Sequence, residues 1–173
     1  CCGAGRQRRS MVTDEFPRPD ITLERLRQLR PSFADDGTVT AGNASGVTDG
    51  AAFVVVAEAG AARARGLQAQ ARLVDWATVG VLPSMMGIGP VPAVRKLLAR
   101  TGLTVADIDY FEVNEAFAVV NLHAERELGL PRERTNLYGG GISIGHPPGA
   151  TGVRMTMTAM HHLQDTQGRY GLV

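Results

Sequence analysis

Residues 139–154 read GGGISIGHPPGATGVR. Three glycines, Gly139–Gly141, run into the alternation Ile142-Ser143-Ile144 and then into Gly145-His146-Pro147-Pro148-Gly149, and a helix-like run opens near Ala150. A glycine-rich strand exit feeding a helix start lets backbone come close to a bound molecule. The first helical turn leaves free N–H groups pointing at it. Pro147 fixes its own φ and pushes His146 towards an extended conformation. A lone histidine is more often structural or solvated than chemical. One braced at a strand–helix bend is a candidate for chemistry.

Two further stretches have the same character. Thr38–Gly46, TVTAGNASG, is a small-residue loop before a helix-like run at 47–52. Val113–Ala118, VNEAFA, closes the apolar strand-like run Ile108–Val113 and opens another helix. Polar groups at the carboxyl ends of strands are where open α/β sheets hold ligands. TVTAGNASG, NEAFA and GGGISIGHPPGATG, in that order, resemble the thiolase family (acetyl-CoA C-acyltransferases). The resemblance runs from about Asp14 to Val173, and three motifs in register are far more specific than any one.

Between the motifs, strand and helix patterns alternate. Thr22 is an N-cap candidate, with Leu23, Leu26 and Leu29 at helical spacing and Pro31 as the stop. Ala51–Ala57, AAFVVVA, is a continuous apolar run suited to a strand covered on both faces. Residues 58–66 suit a short helix ended by Gly66, and Ala71–Val79 a strand in which Trp76 packs in the core or under a lid. Pro90 and Pro92 open a helix with Val94, Leu97, Leu98 and Thr101 on its buried face, closed by Gly102. A helix after Val113 carries Phe117, Val120, Ala124 and Leu128 and ends at Gly129, and 136–144 is strand and loop. Val153, Met157, Met160 and Leu163 space out a last amphipathic helix, and Tyr170–Val173 begins a strand. The alternation predicts an α/β fold with a mostly parallel sheet under covering helices, cut before its last strands.

Composition bounds the function. The chain has 173 residues, 44% hydrophobic and 20% charged, enough for one domain with an ample core. A formal net charge of +1 and no dense basic stripe beyond Arg6–Arg9 give no argument for nucleic acid. No apolar run reaches membrane-spanning length, and no secretory h-region is evident. Cys1 and Cys2 are adjacent and alone, which rules out a disulfide framework within the chain and favours a reducing compartment. Lys96 is the one lysine among 18 basic residues, a skew read as codon bias of a GC-rich, bacterial genome, with cytoplasm the default location.

The resemblance implies a thiolase-like fold and a division of the chain. Residues 1–13 are unassigned, 14–42 resemble the end of the family's loop region, 43–67 the last part of its N-terminal domain and 68–173 most of its C-terminal domain. A fragment is expected on that ground. Thiolases condense acetyl-CoA with an acyl-CoA, or cleave a 3-ketoacyl-CoA, through a cysteine nucleophile from the N-terminal half and a second cysteine near the C-terminus. The resemblance assigns His146 to thiol activation and to the thioester oxygen, and Asn114 to holding a water in the same oxyanion site. Fixed donors aimed at developing enolate charge suit that chemistry. An Asn114 that caps the following helix is compatible with the same role. Neither catalytic cysteine can be placed, and Cys1 and Cys2 stand outside the recognisable region.

The same resemblance puts Ala41, Gly42 and Ser45 on the pantetheine arm, with Phe33, Met86 and Phe117 lining its apolar part and Arg18 near the nucleotide end. The reading of Phe33, Met86 and Phe117 as plain core stays open. Coenzyme A thioesters are expected as substrates, with no resident cofactor and no metal. His161, His162 and His123 lack a metal-ligand spacing, and Glu115 reads as a first-turn acid of a helix. A homodimer or homotetramer is implied for the full-length form. The alternative is a thiolase-like acyl-CoA or lipid binder without turnover. A ketoacyl synthase pairs its cysteine with two histidines, and Asn114-Glu115 in place of the second speaks against it.

Overall fold

The computed structural model describes residues 12–14 and 16–173; Cys1, Cys2 and Arg6–Arg9 lie outside them. The helices form where their caps stand. α1 is Leu23–Arg27, and Thr22 accepts from the Arg25 N–H at 3.3 Å as its N-cap. α2 is Ala59–Ala64, capped by Glu58, whose carboxylate accepts from Ala61 N–H at 2.8 Å. After a 3-10 turn at Pro83–Ile88, α3 runs Pro90–Thr101, starting on a proline whose missing N–H costs nothing there. α4 is Ala118–Leu128, α5 the single turn Gly141–Ile144, and α6 Thr151–Thr166. Left-handed Gly102 and Gly129 close α3 and α4 as expected.

The sheet is parallel. β1, Tyr110–Phe111, pairs in parallel with β2, Gly171–Leu172, and Phe111 also forms a parallel bridge to Thr135. Alternation along β1 divides two packed layers. Phe111 joins Val91 and Val94 of α3, Ala124 of α4, Ile108, Leu130 and Leu172 in one core. Tyr110 stacks instead on His162 of α6, ring centroids 4.2 Å apart. The sheet therefore lies between the α3–α4 pair and α6, which fits the expected α/β architecture.

Several expected elements differ. Ala51–Ala57 and Ala71–Val79 form no ladder among the described residues. Phe53, Val55 and Val56 are 84%, 92% and 86% exposed, and Trp76 is exposed rather than packed. A β-branched run becomes a strand only when a neighbour takes up its N–H and C=O groups. The helix expected at 47–52 is absent, and Val47 instead forms a parallel bridge with His146. Residues 136–144 turn rather than extend, because Asn136 (φ 49°) and Gly139 (φ 82°) are left-handed. On α6 the fully buried stripe is Thr151, Met155 and Ala159, four residues apart, while Val153, Met157, Met160 and Leu163 are half-buried.

Candidate active site

Three loops meet at His146. The His146 N–H donates to Gly46 O at 2.8 Å, so the 44–47 segment lies alongside the histidine turn. On its other side the same segment binds the start of α4: Ser45 N–H donates to Ala116 O at 3.0 Å, and Ala118 N–H donates to Asn43 O at 2.8 Å. The TVTAGNASG, NEAFA and GHP stretches are thus stitched together by main chain, with the first in the middle. His146 pairs with Val47 in a parallel bridge, in keeping with the bias that Pro147 places on the residue before it.

The glycines serve this meeting of loops. Gly145 has φ +90°, where a side chain is strained, and the space a Cβ would need is filled by Thr48. A Cβ on Gly141 would lie 3.2 Å from Ser45 Cβ and 3.1 Å from Glu115 O, and one on Gly140 would collide with the Glu115 carboxylate. Gly42 is closed off by Leu26 and Leu29 of α1. What approaches backbone at these positions is neighbouring protein.

His146 Nδ1 lies 2.7 Å from Thr151 Oγ1, and Thr151, on the first turn of α6, also donates to Pro147 O at 2.9 Å. Asn114 Oδ1 is buried, about 3.5 Å from the position of a Gly141 Cβ, and accepts no hydrogen bond from the described residues. Such an oxygen is costly unless a donor reaches it. Asn114 does not cap α4, whose N-cap is Phe117 without a side-chain bond.

Glu115 lies upstream of α4 and so is no first-turn acid. Its carboxylate accepts from Ile142 N–H at 3.1 Å and from Asn136 Nδ2 at 3.3 Å, tying NEAFA to the glycine loop. Asn136 in turn accepts from Val113 N–H and donates to Val113 O, both at 2.8 Å. Its amide thus replaces a neighbouring strand just before Asn114. Sequence reading missed Asn136 in this role. The one local signal was the residue type, since asparagine tolerates the left-handed backbone seen at Asn136.

Of the expected substrate-binding residues, Phe33 and Phe117 come together edge to face with centroids 5.7 Å apart. Ser45 and Gly42 are half-buried within the central loop, and Ala41 is exposed beside them. Met86 is 57% exposed on the Pro83–Ile88 turn, and Arg18 is exposed ahead of α1. A separate cavity of about 290 Å³ is lined by Glu115, Asn121, Glu125, Arg132, Thr135 and Asn136 and reaches neither His146 nor Asn114. No group of three His, Cys, Asp or Glu side chains among the described residues is placed to hold a metal ion. No helix among them is long and apolar enough to cross a membrane.

The family model for the thiolase C-terminal domain matches residues 67–173, and that for the thiolase N-terminal domain matches 3–60. The chain belongs to the thiolase family. This thiolase chain is 52% identical over 161 residues to a beta-ketoadipyl-CoA thiolase of Pseudomonas knackmussii, covering 92% of the chain and 40% of that protein. It is 51% identical to a beta-ketothiolase of Cupriavidus necator, over 93% of the chain and 41% of the relative. Its fold matches the crystal structure of Bacillus anthracis acetyl-CoA acetyltransferase with TM-score 0.88 and 46% identity, covering 96% of the chain and 44% of that structure. Human mitochondrial 3-ketoacyl-CoA thiolase in complex with CoA matches at TM-score 0.83 and 44% identity, over 93% and 41%. The thiolase chain spans about 40% of the length of the curated relatives it matches.

Proposed function

We propose that this chain supplies the histidine–asparagine side of an active site that makes or cleaves 3-ketoacyl-CoA by thiolase chemistry. The observation that carries it is the main-chain stitching of three loops around His146. In this reading His146 takes the proton of a cysteine thiol, because the thiolate is the reactive form, and then faces the thioester oxygen. Asn114 holds a water in the same oxyanion site, and its buried Oδ1, which accepts no hydrogen bond from the described residues, supports that role. Ala41, Gly42 and Ser45 contact the pantetheine arm, Phe33, Phe117 and Met86 line its apolar part, and Arg18 lies towards the nucleotide. The substrates are coenzyme A thioesters, with no resident cofactor required, and the whole protein works as a homo-oligomer in the cytoplasm.

The chain has two cysteines, Cys1 and Cys2, and neither is assigned as the nucleophile. Purified alone, it is expected to release no acetyl-CoA from acetoacetyl-CoA and CoA. A hybrid in which it replaces the matching part of the Pseudomonas knackmussii thiolase is expected to cleave 3-ketoacyl-CoA. His146→Ala in that hybrid should lower kcat by roughly 10²-fold or more. A folded hybrid that binds acyl-CoA without turnover would replace the enzyme reading with that of a binding protein.

A further inference from the structure

We propose that Thr151 is a positioning residue that holds neutral His146 as its Nδ1–H tautomer, leaving Nε2 without a proton. The argument rests on counting protons. Thr151 Oγ1 has one hydrogen to give and stands 2.7 Å from His146 Nδ1 and 2.9 Å from Pro147 O. A threonine in a helix characteristically gives its hydroxyl proton to the carbonyl four residues back, and Pro147 O is that carbonyl. The same oxygen also accepts from the Ala150 and Thr151 N–H groups, each at 2.9 Å, so the hydroxyl would be its third donor, and giving the hydroxyl proton to this carbonyl rather than to the ring is the step that the spectrum below decides. In the proposed arrangement the hydroxyl hydrogen goes to Pro147 O, and the Thr151 oxygen then has only lone pairs to offer the ring. The ring nitrogen facing them must then carry the hydrogen.

The contact is built rather than incidental. Thr151 is 4% exposed, so water does not compete for its hydroxyl. The His146 backbone is fixed on the other side by its bond to Gly46 O. The β-branched side chain has few rotamers in a helix, and only one hydroxyl position serves both partners. Neutral imidazole in water prefers the hydrogen on Nε2, so Thr151 imposes the less common tautomer. The use of that tautomer rests on the proposed function: a base that takes a thiol proton needs a bare nitrogen facing the thiol, and Nδ1 is already occupied. The tautomer itself rests on the Thr151 contacts with Pro147 O and His146 Nδ1, independently of the reaction.

The test is the ring ¹⁵N–¹H correlation spectrum of the 173-residue chain at alkaline pH, about two units above the ordinary imidazole value. His146 is identified by its absence from a His146→Gln sample. The expected result is Nδ1–H as the main form of His146, a switch to mainly Nε2–H in Thr151→Val, and retention of Nδ1–H in Thr151→Ser. If Thr151→Val does not fold, Thr151→Ala is read in its place, and the wild-type spectrum already decides which nitrogen carries the hydrogen. Mainly Nε2–H in the wild type overturns the proposal, and so does an unchanged tautomer in the hydroxyl-free variant. In the hybrid enzyme, Thr151→Val should lower kcat at least ~10-fold with KM unchanged, and Thr151→Ser should restore it. A correct spectrum with an inactive wild-type hybrid would sink the enzyme reading and leave the tautomer standing.

Discussion

Arg154 Nη1 donates to the Glu112 carboxylate at 3.1 Å, joining α6 one turn beyond Thr151 to the end of β1 two residues before Asn114. Tyr110 O–H donates to the other oxygen of the same carboxylate at 2.5 Å. Glu112 is 1% exposed, so this ion pair is internal to the layer between β1 and α6. The helix that presents Thr151 to His146 and the strand that leads to Asn114 are therefore held together by a charge pair.

Removing the arginine strands the carboxylate. Arg154→Met is expected to cost about 3 kcal/mol at neutral pH, read as a lower urea midpoint. Burial already holds Glu112 above the ordinary carboxyl range, despite Arg154 and Tyr110 pulling it down. The folded chain therefore takes up a proton before the unfolded one as pH falls. Stability tied to this group is lost as pH rises through its folded pKa and fully present below the unfolded value of about 4.3. The deficit of Arg154→Met should shrink on acidification through that window. A deficit constant with pH would show that charge burial is not its cause.

Asp109 gives the opposite sign. Its carboxylate accepts from Tyr170 N–H at 2.9 Å and Arg169 N–H at 2.7 Å, and these two bonds hold it below the ordinary carboxylate range. The stability it contributes is present above the unfolded pKa of about 3.9 and is lost as pH falls through the lower folded value. Asp109→Asn should cost about 1 kcal/mol at pH 7, discounted because the group is partly exposed. The gap to wild type should close only in strong acid, below the range where the Arg154→Met gap closes. Chemical denaturation at several pH values separates the two.

Gly145 is the hinge on which the site loop turns. Gly145→Ala places a Cβ at φ +90° against Thr48. A cost of about 2 kcal/mol is expected from backbone strain and displacement of the 46–48 segment. The His146 N–H, bonded to Gly46 O in the wild type, should lose hydrogen-exchange protection first. Gly149→Ala is the control, since nothing lies within 4 Å of a Cβ there. Equal loss of stability in both variants would remove the argument from Thr48.

Local patterns in the sequence were reliable where the chain satisfies its own hydrogen bonds. Thr22 before α1, Pro90 at the start of α3, and Gly102 and Gly129 after α3 and α4 all act within a turn of their own position. The three motifs were also legible, because small residues and a braced histidine describe a bend without reference to distant chain. Partners far along the chain were hidden. Nothing near Asn136 announces that its amide will serve Val113, 23 residues away, or that Glu115 will reach Ile142 across 27. Strands were the least legible elements, since AAFVVVA shows a preference for burial but cannot show what lies beside it.

That last difference can be measured. Among the described residues, the N–H groups of Phe53–Ala57 make no backbone hydrogen bond, whereas Glu112 N–H donates to Leu172 O at 2.8 Å. In the 173-residue chain, amides at 53–57 should exchange with deuterium within about tenfold of an unstructured peptide. Those of Tyr110 and Glu112, in the core sheet, should be slowed by many orders of magnitude. In the hybrid with the Pseudomonas knackmussii sequence, the 53–57 amides should become protected, as the aliphatic run gains strand neighbours and loses its 84–92% exposure at Phe53, Val55 and Val56. Exchange at 53–57 as slow in the chain alone as in the hybrid would mean that this run already has its ladder partners without the added sequence.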